Sequence, residues 1–205
     1  MPSQKQKIRQ YREQKILMTL DKMGVLSRSQ LQKILQIEKV RTMNDILSSM
    51  GTYLNHTRLQ ENVYYLSKKG REFVGSNKVF KKTNQLEHRL MRNDMQIYYN
   101  YPSDWKNEPE LTVTIEGKKH TFVADARFSM DGTIYFVEID NKQTMVVNQK
   151  KIEFYSKLFP LIKDDTGNEP VLLFYTNTPI RKKKLLFHAQ QRDITAGVFL
   201  KRDLD

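Results

Sequence analysis

The stretch Thr121-Phe122-Val123-Ala124-Asp125-Ala126-Arg127-Phe128-Ser129-Met130-Asp131-Gly132-Thr133-Ile134-Tyr135-Phe136-Val137-Glu138-Ile139-Asp140 decides how the second half of the chain folds. Two β-branched and aromatic runs flank Asp131-Gly132, a strong short hairpin signal. If those two residues are the loop, Arg127 pairs with Phe136, Asp125 with Glu138 and Val123 with Asp140. Side chains alternate along a strand, so Glu138 and Asp140 share a face. Three carboxylates then cluster on two adjacent strands. Like charges so placed repel, and a divalent cation, a shared proton or a basic side chain must offset them. Hard cations such as Mg²⁺ suit such a set. Arg127, two residues along from Asp125, is a candidate for offsetting it without a metal. A three-residue loop would shift the register and break the cluster.

Working outward, a helix is expected over 85–99, a strand over 111–116 and a strand over 120–128 ahead of the hairpin's second strand. A helix over about 144–162 follows, ending near Pro160. Then come a buried strand at 171–175, a helix from Pro179 to Gln191, and a short strand at 198–200. The order α-β-β-β-α-β-α-β predicts an α/β domain built on a mixed sheet with helices on both faces.

The first part of the chain reads differently. Helices are expected over 6–23, from Ser27 onward, and over 38–50, with Val40, Met43, Leu47 and Met50 as the core stripe of the third. Gly24 ends the first, and Ser27-Arg28-Ser29-Gln30 has the capping-box pattern. Tyr53-Leu54, a polar turn at 55–58, the strand 63–66 and a helix capped by Ser67 complete a winged helix-turn-helix order. The third helix is the candidate recognition helix. Arg41, Asn44 and Ser48 lie on its polar face, where Arg suits guanine and Asn suits adenine. Lys39 at its start, His56 and Arg58 at the ribbon tip, and Lys68 and Lys69 at the next helix start are candidate DNA contacts. A small domain that binds protein is the competing reading.

Charge favours nucleic acid. The 205 residues carry 35 Lys+Arg against 23 Asp+Glu. Residues 1–82 hold 17 and 6 of these, and residues 83–205 hold 18 and 17. A basic first domain beside a nearly neutral second is a footprint of DNA binding by the first. The boundary is expected in the polar segment 75–85. Without cysteine, disulfides, thiolate zinc sites and Cys nucleophiles are excluded. No apolar run is long enough to cross a membrane, and no secretory leader is read at the start, so a cytoplasmic location is expected. No phosphate-cradling Gly-rich loop or Gly-x-Ser-x-Gly elbow is present. Arg181-Lys182-Lys183-Lys184 reads as a solvated helix face or a further phosphate contact. Trp105 reads as a packing residue.

Asp125 on one strand and Glu138-Ile139-Asp140 on the next resemble the PD-(D/E)XK nuclease-like fold. Active members carry a lysine where this chain has Asp140, and Lys142, or Lys150 and Lys151 on the following helix, are the substitutes within reach. The whole chain resembles the replication-relaxation family of plasmid and mobile-element proteins. The resemblance rests on the winged helix, on Tyr64-Tyr65-Leu66-Ser67-Lys68-Lys69-Gly70 and on Leu86-Glu87-His88-Arg89. It continues through Ala124-Asp125-Ala126, Phe136-Val137-Glu138-Ile139-Asp140, Lys150 and Tyr155. It implies a DNA-binding protein of replication, transfer or their transcriptional control, with a degenerate nuclease-like domain used for assembly. The alternative is a metal-dependent endonuclease or nickase, with Asp125, Glu138, Asp140 and Lys142 catalytic and the three carboxylates holding Mg²⁺. The expected partners are double-stranded DNA, a second copy of the chain, and replication or transfer proteins, with no membrane and, if non-catalytic, no cofactor.

Overall fold

The structure is a computed structural model and describes residues 3–80, 85–115 and 117–204. The chain divides into two compact units, Met1–Asn93 and Asp94–Asp205.

The first unit opens with α1 (Gln4–Met23), whose buried residues Ile16, Leu17, Leu20 and Met23 all lie in its second half. Gly24 closes it with φ of 80°, a left-handed value that glycine adopts without a Cβ clash. β1 (Leu26–Ser27) leads into α2 (Arg28–Leu35), where Ser27 and Gln30 form both hydrogen bonds of the capping box. α3 (Val40–Ser49) buries Met43 and Leu47, and Met50 caps it. Val40, expected in the core stripe, is 48% exposed. It stands in the first turn, ahead of the residues that α3 turns inward.

β2 (Leu54–Arg58) and β3 (Asn62–Leu66) pair antiparallel, and β1 adds to β3. The expected polar turn at 55–58 is therefore strand, and the reversal lies at 59–61, where the Leu59 amide donates to the Glu61 carbonyl at 3.0 Å. Ser67 caps α4 (Lys68–Val74). Gly70 is buried there, and the position takes glycine because an added Cβ would stand 2.2 Å from the Tyr53 carbonyl oxygen.

The division falls inside α5 (Leu86–Tyr98) rather than in the 75–85 segment, of which 81–84 lie outside the described residues. The start of α5 packs on the first unit. Leu86 joins Val25 and Val63, the Asn93 side chain donates to the Val25 carbonyl at 2.6 Å, and Gln30 donates to the Leu90 carbonyl at 2.8 Å.

The second unit is built on a five-stranded mixed sheet in the order β10-β9-β8-β7-β4. Its members are β4 (Lys106–Asn107), β7 (Ala126–Met130), β8 (Thr133–Asp140), β9 (Val171–Thr176) and β10 (Ala196–Phe199). β8, β9 and β10 run parallel, while β4 and β7 are antiparallel to their neighbours. Asp131 and Gly132 form the hairpin loop with φ of 50° and 79°, and Arg127 pairs with Phe136. The single strand expected over 120–128 is instead two. β6 (Lys118–Val123) pairs with β5 (Glu110–Ile115) in a separate hairpin, and Val123 faces Glu110 rather than Asp140. The interruption has a backbone cause. Pro109 has no amide to give the ladder and Glu108 takes a positive φ of 50°, while the Glu108 amide donates to the Asp125 carbonyl at 3.1 Å and the Ala124 amide to the Pro109 carbonyl at 3.3 Å across the junction.

α6 (Met145–Thr166) and α7 (Pro179–Gln190) cover one face of the sheet. Ile152, Tyr155, Leu158 and Phe159 of α6 and Leu185 and Ala189 of α7 meet Phe136, Leu172, Phe174 and Val198. α6 runs through Pro160 to Gly167 rather than stopping near it. Proline removes one internal hydrogen bond, and the buried Leu158 and Phe159 beside it hold the helix together. Trp105 stacks on Phe128 with ring centroids 5.3 Å apart, a packing role. No described helix is long and apolar enough to cross a membrane.

Candidate nucleic-acid interface and the acidic centre

On the first unit, Lys39 caps α3 without a side-chain hydrogen bond of its own. Arg41, Asn44 and Ser48 are exposed one turn apart, because Met43 and Leu47 turn the other face inward. Among the described residues, these side chains make no hydrogen bond or ion pair with the rest of the chain. Asn44 and Ser48 share a groove of about 530 Å³ with His56 and Arg58 of β2. Arg41 and Lys39 stand outside its lining, and Lys68 and Lys69 are exposed at the start of α4.

Arg28, at the first turn of α2, also lines the groove, in addition to the residues expected from the sequence. Its guanidinium meets Glu61 at 2.8 Å, and Glu61 also accepts from the Ser29 amide at 3.1 Å and from the Ser29 hydroxyl. A carboxylate at a helix N-terminus is favourably placed. The contact ties the β2–β3 reversal to α2 and neutralises the acidic residue of the groove. The only local hint was Arg28 following the Ser27 cap.

In the second unit, Glu138 and Asp140 do share the face of β8 toward α6 and α7, and both are fully buried. Asp125 sits just before β7 and accepts from the Ile139 amide at 2.7 Å. The three carboxylates nevertheless belong to two separate networks. Glu138 accepts from the Tyr155 hydroxyl at 2.6 Å and from the Lys151 ammonium, which stands 3.7 Å from Asp125. Asp140 accepts from Arg181 at both carboxylate oxygens, at 2.5 and 2.7 Å. Asn148 and Thr176 add a further bond each at 2.7 Å.

The electrostatics follow from these partners. Burial, with Asp125 adding to it and Lys151 opposing it, pushes Glu138 up to about 8. Burial also works against ionised Asp140, but the hydrogen bonds from Arg181, Thr176 and Asn148 outweigh it and hold the carboxyl below its ordinary range. Burial and the Glu138 carboxylate push the Tyr155 phenol well up, which keeps it a donor.

The Mg²⁺ set of Asp125, Glu138 and Asp140 does not fit this geometry. Asp140 has its oxygens engaged by Arg181, Asn148 and Thr176. Among the described residues no group of three His, Cys, Asp or Glu side chains is placed to hold a metal ion. The offsetting cations are Lys151 and Arg181 rather than Arg127. Lys142 is exposed in the loop after β8.

A family model described as replication-relaxation matches residues 17–172. No curated protein matches the chain. Among solved structures, the crystal structure of protein VC1899 from Vibrio cholerae aligns with 96% of this chain and 47% of that one, at 10% identity and a TM-score of 0.43. The chain spans about half the length of that protein.

Proposed function

The chain belongs to the replication-relaxation family, and from that premise we propose that it binds double-stranded DNA through a winged helix in its first unit. Family membership indicates a role in plasmid or mobile-element replication or transfer. In our reading α3 enters the major groove, with Arg41, Asn44 and Ser48 toward base edges. His56 and Arg58 contact the flanking backbone, and Lys39, Lys68 and Lys69 contact phosphates. The observation that carries this is the groove joining Asn44 and Ser48 to His56 and Arg58, on a unit that holds the chain's whole net charge. Residues 1–93 carry 19 Lys+Arg against 7 Asp+Glu, and residues 94–205 carry 16 against 16.

The second unit, neutral and with its acidic residues internally paired, serves assembly in this reading, with a second copy or with other replication or transfer proteins. The alternative of a metal-dependent endonuclease or nickase would require Asp125 and Glu138 to exchange Lys151, which reaches both from α6, for a metal ion.

Two measurements test these readings. Gel-shift titration of the full chain on plasmid fragments should show binding that weakens steeply with salt. Arg41→Ala or Asn44→Ala should relax sequence choice by about 1–3 kcal/mol at one base pair. No binding at low salt by the wild type would end the DNA-binding reading. Incubation with supercoiled plasmid and Mg²⁺ or Mn²⁺ should leave the plasmid intact. Cleavage lost in Glu138→Gln would favour the enzyme instead.

A further inference from the structure

The start of α1 stands largely in solvent, with Arg12, Glu13 and Lys15 half-buried where the helix approaches the core. Gln4 to Tyr11 are exposed, and the first buried side chain is Ile16. The segment is nonetheless a properly started helix. The Ser3 hydroxyl accepts from the Gln6 amide at 3.3 Å, the Gln6 side chain accepts from the Ser3 amide at 2.7 Å, and Arg9 pairs with Glu13 at 2.8 Å. A helix this short is marginal in water by itself. It extends here because the half from Ile16 to Met23 is anchored in the first unit. At 1.5 Å per residue the free half is about 18 Å long.

Its charge is one-sided. Residues 4–15 contain Lys5, Lys7, Arg9, Arg12 and Lys15 against Glu13 alone. Lys5, Arg9 and Arg12 fall at helical spacing with Ile16, Leu20 and Met23, so they continue the same helix face. The stripe that anchors α1 as apolar core becomes cationic where the core ends.

We propose that residues 4–15 form a second nucleic-acid contact, a basic helical arm that grips the sugar-phosphate backbone of duplex DNA flanking the site read by α3. The proposal rests on the DNA-binding reading above. Charge complementarity selects the occupant. Five cations on three helical turns match a polyanion with one charge per about 1.7 Å of duplex axis. A second copy of the arm is the poorer occupant. The exposed stripe of Ile8, Tyr11 and Met18 is interrupted by Lys15, and pairing two arms would bring like charges together.

The test uses the full chain, a duplex of fixed sequence and a salt titration. The triple substitution Lys5→Gln/Arg9→Gln/Arg12→Gln should make the slope of log affinity against log salt shallower by about 2–3. Affinity at low salt should fall at least about tenfold, alike for preferred and scrambled sequences. The melting temperature should move little, since Lys5 and Arg9 are exposed and Arg12 is only half-buried. Wild-type binding with an unchanged slope in the triple variant overturns the arm and leaves the α3 reading standing. No DNA binding by the wild type overturns both. The double substitution Ile8→Ser/Tyr11→Ser should leave the slope and the sedimentation behaviour unchanged. A dimer that it converts to monomer would assign the arm to a second copy and overturn the proposal.

Discussion

Arg41, Asn44 and Ser48 in the first unit stand in solvent with no partner among the described residues, whereas Glu138 and Asp140 in the second are fully buried and multiply bonded. The first unit keeps an excess of cations outside, and the second takes ionic groups into its interior and pairs them. The contrast shows why residue type alone does not identify a site. A lysine at the surface keeps its hydration and remains available to a partner. A carboxylate carried into a sheet core loses water and must find donors within the fold. Arg41, Asn44 and Ser48 are therefore candidates for binding because the fold asks nothing of them, whereas Glu138 and Asp140 are accounted for by the fold itself.

The largest test of that contrast is Arg181→Ala. It leaves Asp140 buried with only Asn148 and Thr176 as donors, and should cost the full chain about 3–5 kcal/mol in a denaturant titration. A loss below about 1 kcal/mol would mean that the pairing does not carry the second unit. Gly70→Ala probes the first unit, where a backbone approach rather than charge is at stake. The 2.2 Å approach of the new Cβ to the Tyr53 carbonyl should cost about 1–3 kcal/mol by thermal melting. Lys69→Ala beside it should leave the melt unchanged, and an equal loss there would blur the contrast.

A finer test is the pH dependence of stability. Glu138 moves from its ordinary 4.5 to about 8 in the fold, so the native state binds the proton more tightly than the unfolded chain. Its contribution is complete below about pH 4.5 and is lost as pH rises toward 8. Glu138→Gln should lack that decline between about pH 5 and 8, as read by denaturation at a series of pH values. An identical profile in the variant would place the titration elsewhere. The smallest effect belongs to Lys39→Ala. One lost phosphate contact should reduce the salt slope of DNA binding by about 0.9 for every sequence alike, with stability untouched.

Much of this protein follows from neighbours in sequence. The capping box at Ser27, the stop at Gly24 and the α7 start at Pro179 depend on residues within one helical turn. The Asp131-Gly132 loop sets the β7–β8 register because both residues take positive φ, which fixes how the strands return on each other. That loop and strand alternation suffice to put Glu138 and Asp140 on one face. The inward stripe of α3 was legible at Met43 and Leu47, but not the exposure of Val40, since periodicity gives a face and not how far the packing partner extends.

What only the tertiary structure decided concerns partners far apart in the chain. The break at Ala124-Asp125 depends on the 106–110 segment beside it. Lys151 reaches Glu138 because α6 crosses β8, and Arg181 reaches Asp140 only after β9 and the start of α7 have been laid alongside. Local pattern chooses helices, strands and turns, because those bonds close within a few residues. Which cation answers a buried carboxylate is chosen by packing, because desolvation makes any basic side chain that the fold brings within reach preferable to none.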